Sequence, residues 1–316
     1  MVIPLVLERV YVIHLFIMSG IYSIIVLGVL LQFKLGLWNL GAAAFWGIGA
    51  YSSALLVREL GLSFWLSLPL AALIAGACAL CLGSFFIRAG RVSFLLLTMV
   101  LNGVFVEIVG HWELVGGWEG IPRLPKPSIH VSFNGSVMEF VTKTPYYYLL
   151  LFLLLMTVVA FYALYSSRIG RTWSAIGLNS PLAAMLGVNL FRYKLIAFII
   201  AAASAGMGGS FYAHYQGFLV PRMFDMHESF YFMLYGVVGG LAYPIAGAIV
   251  GSFIGVAIPE LLRVGEMFQA IFFGIILILV ILFARGGVAG LLGQVYPIII
   301  KGSKGVIFPF FRELKS

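Results

Sequence analysis

Seven runs of mostly apolar residues, most of them about twenty long, follow one another along this chain, and they constrain the fold more than any single motif. They cover about 10–31, 37–57, 64–87, 92–112, 146–165, 195–215 and 268–283. A helix of about twenty apolar residues matches the thickness of a bilayer core, so each run is a candidate span. Composition agrees. Hydrophobic residues make up 62% of the 316 and charged residues only 9%, with a mean hydropathy of +1.10. A soluble domain carries about a quarter charged residues, and a disordered chain needs low hydrophobicity with high charge. Both classes are excluded, leaving an all-α integral membrane protein.

The stretch 228–263 is apolar but broken by Gly239, Gly240, Pro244, Gly247, Gly251, Gly255 and Pro259. It makes either one long crossing or two short, interrupted ones. Charge sidedness decides, because Lys and Arg favour the cytoplasmic face. With Arg88, Arg91 and the 166–194 segment placed inside, two passes or a re-entrant pair are needed to keep the basic 285–316 tail inside. The inner face then holds 12 basic residues against Glu313 alone, and the outer face 7 basic and 9 acidic, with Glu107 inside a span. The expected fold is a polytopic helical bundle of about 8–9 spans, some interrupted or re-entrant. It is a single transmembrane domain over 1–316, with an external segment at 113–144, a cytoplasmic segment at 166–194 and a cytoplasmic tail. The net charge of +8 follows from that sidedness and not from nucleic-acid binding. No cleavable leader is expected, since Glu8 and Arg9 follow an apolar heptad.

Chemistry-bearing motifs are few. Metalloprotease, nucleophile-elbow and phosphate-loop patterns are missing from the sequence. Cys78 and Cys81 lie in an apolar run and are read as packing residues. His214 closes the sixth run and is expected at the membrane interface. Glu107 is read as the one acid within a span, near its outer end. A transporter driven by ions needs intramembrane charge, so any uphill transport here draws its energy from another subunit. Neither a metal nor a cofactor is expected. Two glycine-rich stretches, 40–53 and 236–255, sit in the two halves of the chain, and paired broken helices point to a solute pathway. Asn39, Gly41, Ser52, Thr98, Asn102 and Gly240 are its candidate lining, being polar or small positions in or beside those helices.

The segment SSRIGRTWSAIGLNSPLAAMLGVNLFRYK reads as two short helices. Asn179 and Ser180 before Pro181 suit a helix start, and Gly187 suits a stop. Trp173, Ile176, Leu182, Met185 and Leu186 are expected to form one apolar face. Either that face touches lipid headgroups or it couples to a cytoplasmic motor.

This segment resembles the cytoplasmic loop of branched-chain amino acid ABC transporter permeases. LGAAAFWGIGAYSSALL, LTMVLNGVFVEIV with GGWEGIP, AGMGGSFYAHYQGFLVP and VVGGLAYPIAGAIVGS are similar to further signatures of that family, in the same order. The loop form and the long outer segment are those of the LivM-type subunit. The chain departs from the pattern at Ala42, Leu178, Ser180, Met185 and 241–243. The resemblance implies a multi-pass permease in the cell membrane, paired with a second, LivH-type permease. It also implies two cytoplasmic ATP-binding subunits and an extracytoplasmic substrate-binding protein, with no nucleotide bound by this chain itself. ATPase coupling then falls to Gly170, Arg171, Ala175, Asn179, Ala183 and Gly187, with Arg171 facing acids of the motor. The competing readings are a secondary transporter or channel for a small neutral solute, and an ABC importer of urea or short amides.

Overall fold

The computed structural model describes residues 10–130, 137–139, 143–262, 274–275, 278 and 287–290. The expected span at 268–283 and the tail at 285–316 lie outside the described residues, isolated positions aside. Ten helices are described: α1 (Val10–Lys34), α2 (Ala42–Arg58), α3 (Phe64–Phe86), α4 (Arg91–His111), α5 (Lys143–Ser166), α6 (Arg168–Leu178), α7 (Ser180–Met185), α8 (Leu190–Gln216), α9 (Met226–Gly239) and α10 (Pro244–Leu262). Five of these, α1, α3, α4, α5 and α8, are long and apolar enough to cross a membrane. Pro221–Gly239 and Pro244–Ile258 make a pair bent by 118°, as expected for the 228–263 stretch. The seventeen residues of α2 span only about 25 Å, because the chain before Ala42 is not helical.

α1 is apolar all round and is buried within the bundle over most of its length. Ile17, Ile21, Ile24, Val26 and Leu27 have no exposed surface. At the periphery, α5 turns Phe152, Leu155, Met156, Val159 and Tyr162 outward, a face suited to lipid.

The second central helix, α8, is built from Ala, Gly and Ser through its middle. Small side chains let helix backbones approach, which drives association in lipid. A Cβ on Gly49 would come to 2.1 Å from the Gly206 carbonyl oxygen, and one on Gly209 to 2.0 Å from that of Trp46. At these positions α2 and α8 touch backbone to backbone. The hairpin of α9 and α10 closes in the same way, since a Cβ on Gly251 would meet the Tyr235 carbonyl oxygen at 1.9 Å.

Basic residues meet aromatic rings at one set of helix ends. At one end Lys34 lies over the Tyr165 ring and Arg88 over the Phe191 ring, so the basic ends of four spans share a face. At the other end, the 113–139 stretch forms two 3-10 turns and an antiparallel strand pair, β1 (Ser128–His130) with β2 (Val137–Glu139), in which Ile129 pairs with Met138. Ile121 pairs with Leu219 across to the stretch that follows α8. Gly120 is in the positive-φ region (φ +76°), and a Cβ there would strike the Leu219 carbonyl oxygen.

Candidate functional site

Two helices begin inside the bundle, and their first turns meet at Asn102. The first is α2. A helix start leaves four backbone N–H groups without partners, and in lipid each must be satisfied by protein. Here side chains satisfy three of them, on Gly41, Ala43 and Ala44, and the N–H of Leu40 just before. Leu40 N–H donates to Thr98 Oγ1 at 3.1 Å, and Gly41 N–H to Asn39 Oδ1 at 2.7 Å. Ala43 N–H donates to Ser229 Oγ at 2.8 Å, and Ala44 N–H to Asn102 Oδ1 at 2.8 Å. Thr98, Asn102 and Ser229 are fully buried. Gly41 has no room for a side chain, since a Cβ would lie 2.8 Å from the Thr98 carbonyl oxygen.

The second is α9. After α8 the chain turns back at Gly217 (φ +76°) and runs through the 3-10 turn Pro221–Phe224. Asp225 then caps α9, its Oδ1 accepting from Met226 N–H at 2.6 Å. Asn102 Nδ2 donates to the Phe224 carbonyl at 3.5 Å, and Ser229 Oγ to Asn102 Oδ1 at 3.4 Å. One asparagine, at the middle of α4, therefore ties together the starts of two interrupted helices. Aromatic rings pack beneath them: Trp46 lies 4.7 Å from Phe224 and 5.5 Å from Phe232 between centroids.

Of the expected pathway residues, Asn39, Gly41, Thr98 and Asn102 come together at this node. Ser52 and Gly240 do not. Ser52 donates to Gly49 in its own helix. Gly240 (φ +123°) ends α9, at the far end of that helix from Asn102. Beside the node a cavity of about 10 Å³, bordered by Gln32, Asn39, Ala42, Phe45 and Ala201, is room for about one water.

A second polar knot lies toward the outer end, and it corrects the reading of His214. That side chain is 1% exposed, not interfacial. Its Nδ1 donates to the Pro125 carbonyl at 2.9 Å, and its Nε2 sits 3.1 Å from Ser53 Oγ. Ser53 also joins Ser67 at 3.0 Å and Ser210 at 2.8 Å. The knot pins α2, α3 and α8 to the external segment. Glu107 is on the surface, 3.5 Å from His111.

The 166–194 segment forms α6 and α7, two short helices as expected. Ser167 accepts from Gly170 N–H at 3.2 Å and Asn179 from Leu182 N–H at 3.0 Å, capping the two helices. A Cβ on Gly170 would clash with the Tyr165 carbonyl oxygen, so the α5–α6 corner needs glycine. Gly187 (φ +83°) closes α7, its N–H donating to the Ala184 carbonyl at 3.0 Å. Arg171 and Ala175 are exposed, and Ala183 is buried. The single apolar face does not form. Trp173 and Ile176 are fully buried, and Trp173 Nε1 donates to the Tyr193 carbonyl at 3.0 Å. Leu178, Leu182, Met185 and Leu186 point away, at 54–84% exposed. The reason is the contact of α6 with the end of α1: a Cβ on Gly177 would lie 2.0 Å from the Lys34 carbonyl oxygen. One side of α6 is taken up by the bundle, and the apolar residues of α7 are left outside.

Sequence reasoning missed Ser229 and the start of α9. The signal was present, since Asp225 followed three residues later by Glu228 is a helix-start pattern.

Comparison with known proteins gives this arrangement a family. The chain is 33% identical over 244 residues to the high-affinity branched-chain amino acid transport system permease protein LivM of Salmonella typhimurium (strain LT2), covering 71% of this chain and 57% of that protein. The LivM protein of Escherichia coli (strain K12) is 32% identical over the same shares. The guanosine ABC transporter permease protein NupQ of Bacillus subtilis (strain 168) is 26% identical over 59% of this chain and 61% of its own length. The chain thus spans a little over half the length of the LivM proteins it matches. No solved structure matches it. The family described as "Branched-chain amino acid transport system / permease component" matches residues 11–285, and with its polytopic helical fold the chain belongs to that family.

Proposed function

We propose that this chain is a membrane-spanning permease subunit of an ATP-binding-cassette importer in the cell membrane. It moves branched-chain or similar small amino acids by alternating access. The observation that carries this reading is the family match over most of the chain, together with the α6–α7 pair. That pair is braced on the bundle by Trp173 and Ile176 while its other apolar residues face outward. An exposed apolar patch beside a rigid support is what a docking partner needs. The partner is a cytoplasmic ATPase seated on α7, with Arg171 and Asn179 at its rim. A second LivH-type permease completes the core, and a substrate-binding protein delivers the amino acid to the 113–130 face. Broken helices are the parts that rearrange in transporters. Here the Asn102 node is the hinge, with Asn39, Gly41 and Thr98 around it and Gly240 at the far turn of α9. Hydrolysis of ATP belongs to the partner and not to this chain.

The test is to solubilise the chain from its native membrane, identify what co-purifies, and reconstitute the complex in vesicles. ATP-dependent uptake of leucine, lost on deletion of residues 171–187, is expected. A chain that purifies alone and moves solute without ATP would overturn the reading in favour of a secondary transporter or channel.

A further inference from the structure

Glu228 lies deep in the bundle without a partner. It is the third residue of α9, next to Ser229, which contacts Ala43 and Asn102 at the middle of α4. Four residues on, Phe232 packs 5.2 Å from Tyr22 at the middle of α1. Glu228 is therefore at the depth of the helix midpoints. Five other acids are accounted for differently. Glu59 pairs with Arg58 and Glu107 with His111, Asp225 caps its own helix, and Glu113 and Glu119 are in the outer segment. The Glu228 carboxylate makes no hydrogen bond or ion pair among the described residues, and the side chain keeps partial access to open space.

Its surroundings are aromatic. Phe232 and Tyr235 follow Glu228 at i+4 and i+7 on α9 and so share its face, and the Tyr22 ring meets both, at 5.2 and 6.1 Å. Tyr22 stacks on Tyr235 at 6.1 Å and meets Trp46 at 6.0 Å, and Trp46 lies 4.6 Å from Tyr212. The Nε1 donor of Trp46, itself 1% exposed, has no partner. One frame thus holds a spare carboxylate and a spare N–H donor. Aromatic faces attract cations, and an isolated acid at this depth is retained where a cation meets it. The start of α2 is largely taken, because side chains already occupy three of its four end N–H groups, those of Gly41, Ala43 and Ala44.

We infer that Glu228, framed by Tyr22, Tyr212 and Tyr235, is the subsite that takes the ammonium group of a zwitterionic substrate. The inference rests on the amino-acid importer reading, but its test does not need transport. The purified chain in lipid nanodiscs is titrated with L-leucine, with 3-methylbutylamine, which keeps only the ammonium, and with 4-methylpentanoate, which keeps only the carboxylate. Binding is read by saturation-transfer NMR. Leucine and the amine are expected to bind, and Glu228→Gln to weaken both at least about tenfold. Glu228→Asp, which keeps the charge, is expected to lose less, and serves if the glutamine variant does not fold. Amine binding that is absent in the wild type, or undiminished in a folded Glu228→Gln chain, overturns the subsite. Vesicle uptake by the whole complex is scored separately. A complex that moves no amino acid, while the amine still binds in a Glu228-dependent way, overturns the importer reading and leaves a cation subsite standing.

Discussion

Ser229 accepts a hydrogen bond from the backbone N–H of Ala43 at 2.8 Å, across 186 positions of sequence. The contact joins two helices that both start inside the bundle, and Asn102 completes it from a third. Each of these groups is buried, so each bond removed leaves an orphan that costs about 1–3 kcal/mol. Asn102→Leu strands both Ala44 N–H and the Phe224 carbonyl, whereas Ser229→Ala strands only Ala43 N–H. The leucine variant should unfold at a lower temperature than the alanine variant, and both below the wild type, by thermal unfolding in detergent. Equal midpoints for all three would show that the caps do not hold the helices.

The backbone contact of α2 with α8 predicts a graded glycine series. Gly209→Val must push Trp46 away, since even a Cβ there comes to 2.0 Å from its carbonyl oxygen. It should abolish accumulation of folded protein. Gly103→Ala is the control, because nothing lies within 4 Å of its Cβ and alanine is the better helix former by about 1 kcal/mol. Size-exclusion profiles of the two variants check the pair, and a well-folded Gly209→Val would refute close packing at this crossing.

Docking on α7 is separable from stability. Met185 and Leu186 are 84% and 76% exposed, so replacing both with Glu should leave the unfolding midpoint unchanged. Transport-coupled ATP hydrolysis of the assembled complex should fall sharply. Trp173→Ala, in contrast, should destabilise by about 3–5 kcal/mol, as expected for a buried tryptophan. Coupled hydrolysis that survives the double Glu variant would remove α7 from the motor interface.

The His214 knot predicts a local effect. His214→Ala leaves Ser53 and the Pro125 carbonyl without this partner. Hydrogen exchange should quicken at 121–125 and at the outer turns of α2, while α6 and α7 stay as protected as before. A uniform change along the chain would contradict a local role.

Much of this was legible in the sequence, because bilayer thickness and backbone satisfaction leave few options for apolar runs. Most of the long helices, the broken 228–263 stretch and the signals at Asn179 and Gly187 follow from local residue chemistry. What escaped depended on partners far apart in the chain. His214 looks interfacial from its place at the end of a run, and only Ser53, Ser67, Ser210 and Pro125 converging on it make it interior. Glu228 counts as an outer-face acid until the reversal at Gly217 carries Phe224 back to Asn102. Leu182 and Trp173 share an apolar pattern, but the carbonyl of Lys34 beside Gly177 separates their surroundings.

One small contact carries weight beyond its size. Ile121 and Leu219 exchange both backbone hydrogen bonds, at 2.8 and 3.0 Å, and Leu124 N–H reaches the Gly217 carbonyl at 2.8 Å. The outer segment is stitched to the strand of chain that leads, five residues later, to the Phe224 carbonyl held by Asn102. Ile121, Leu219, Phe224 and Asn102 thus form one short run of chain and hydrogen bonds between the surface turns and the buried node.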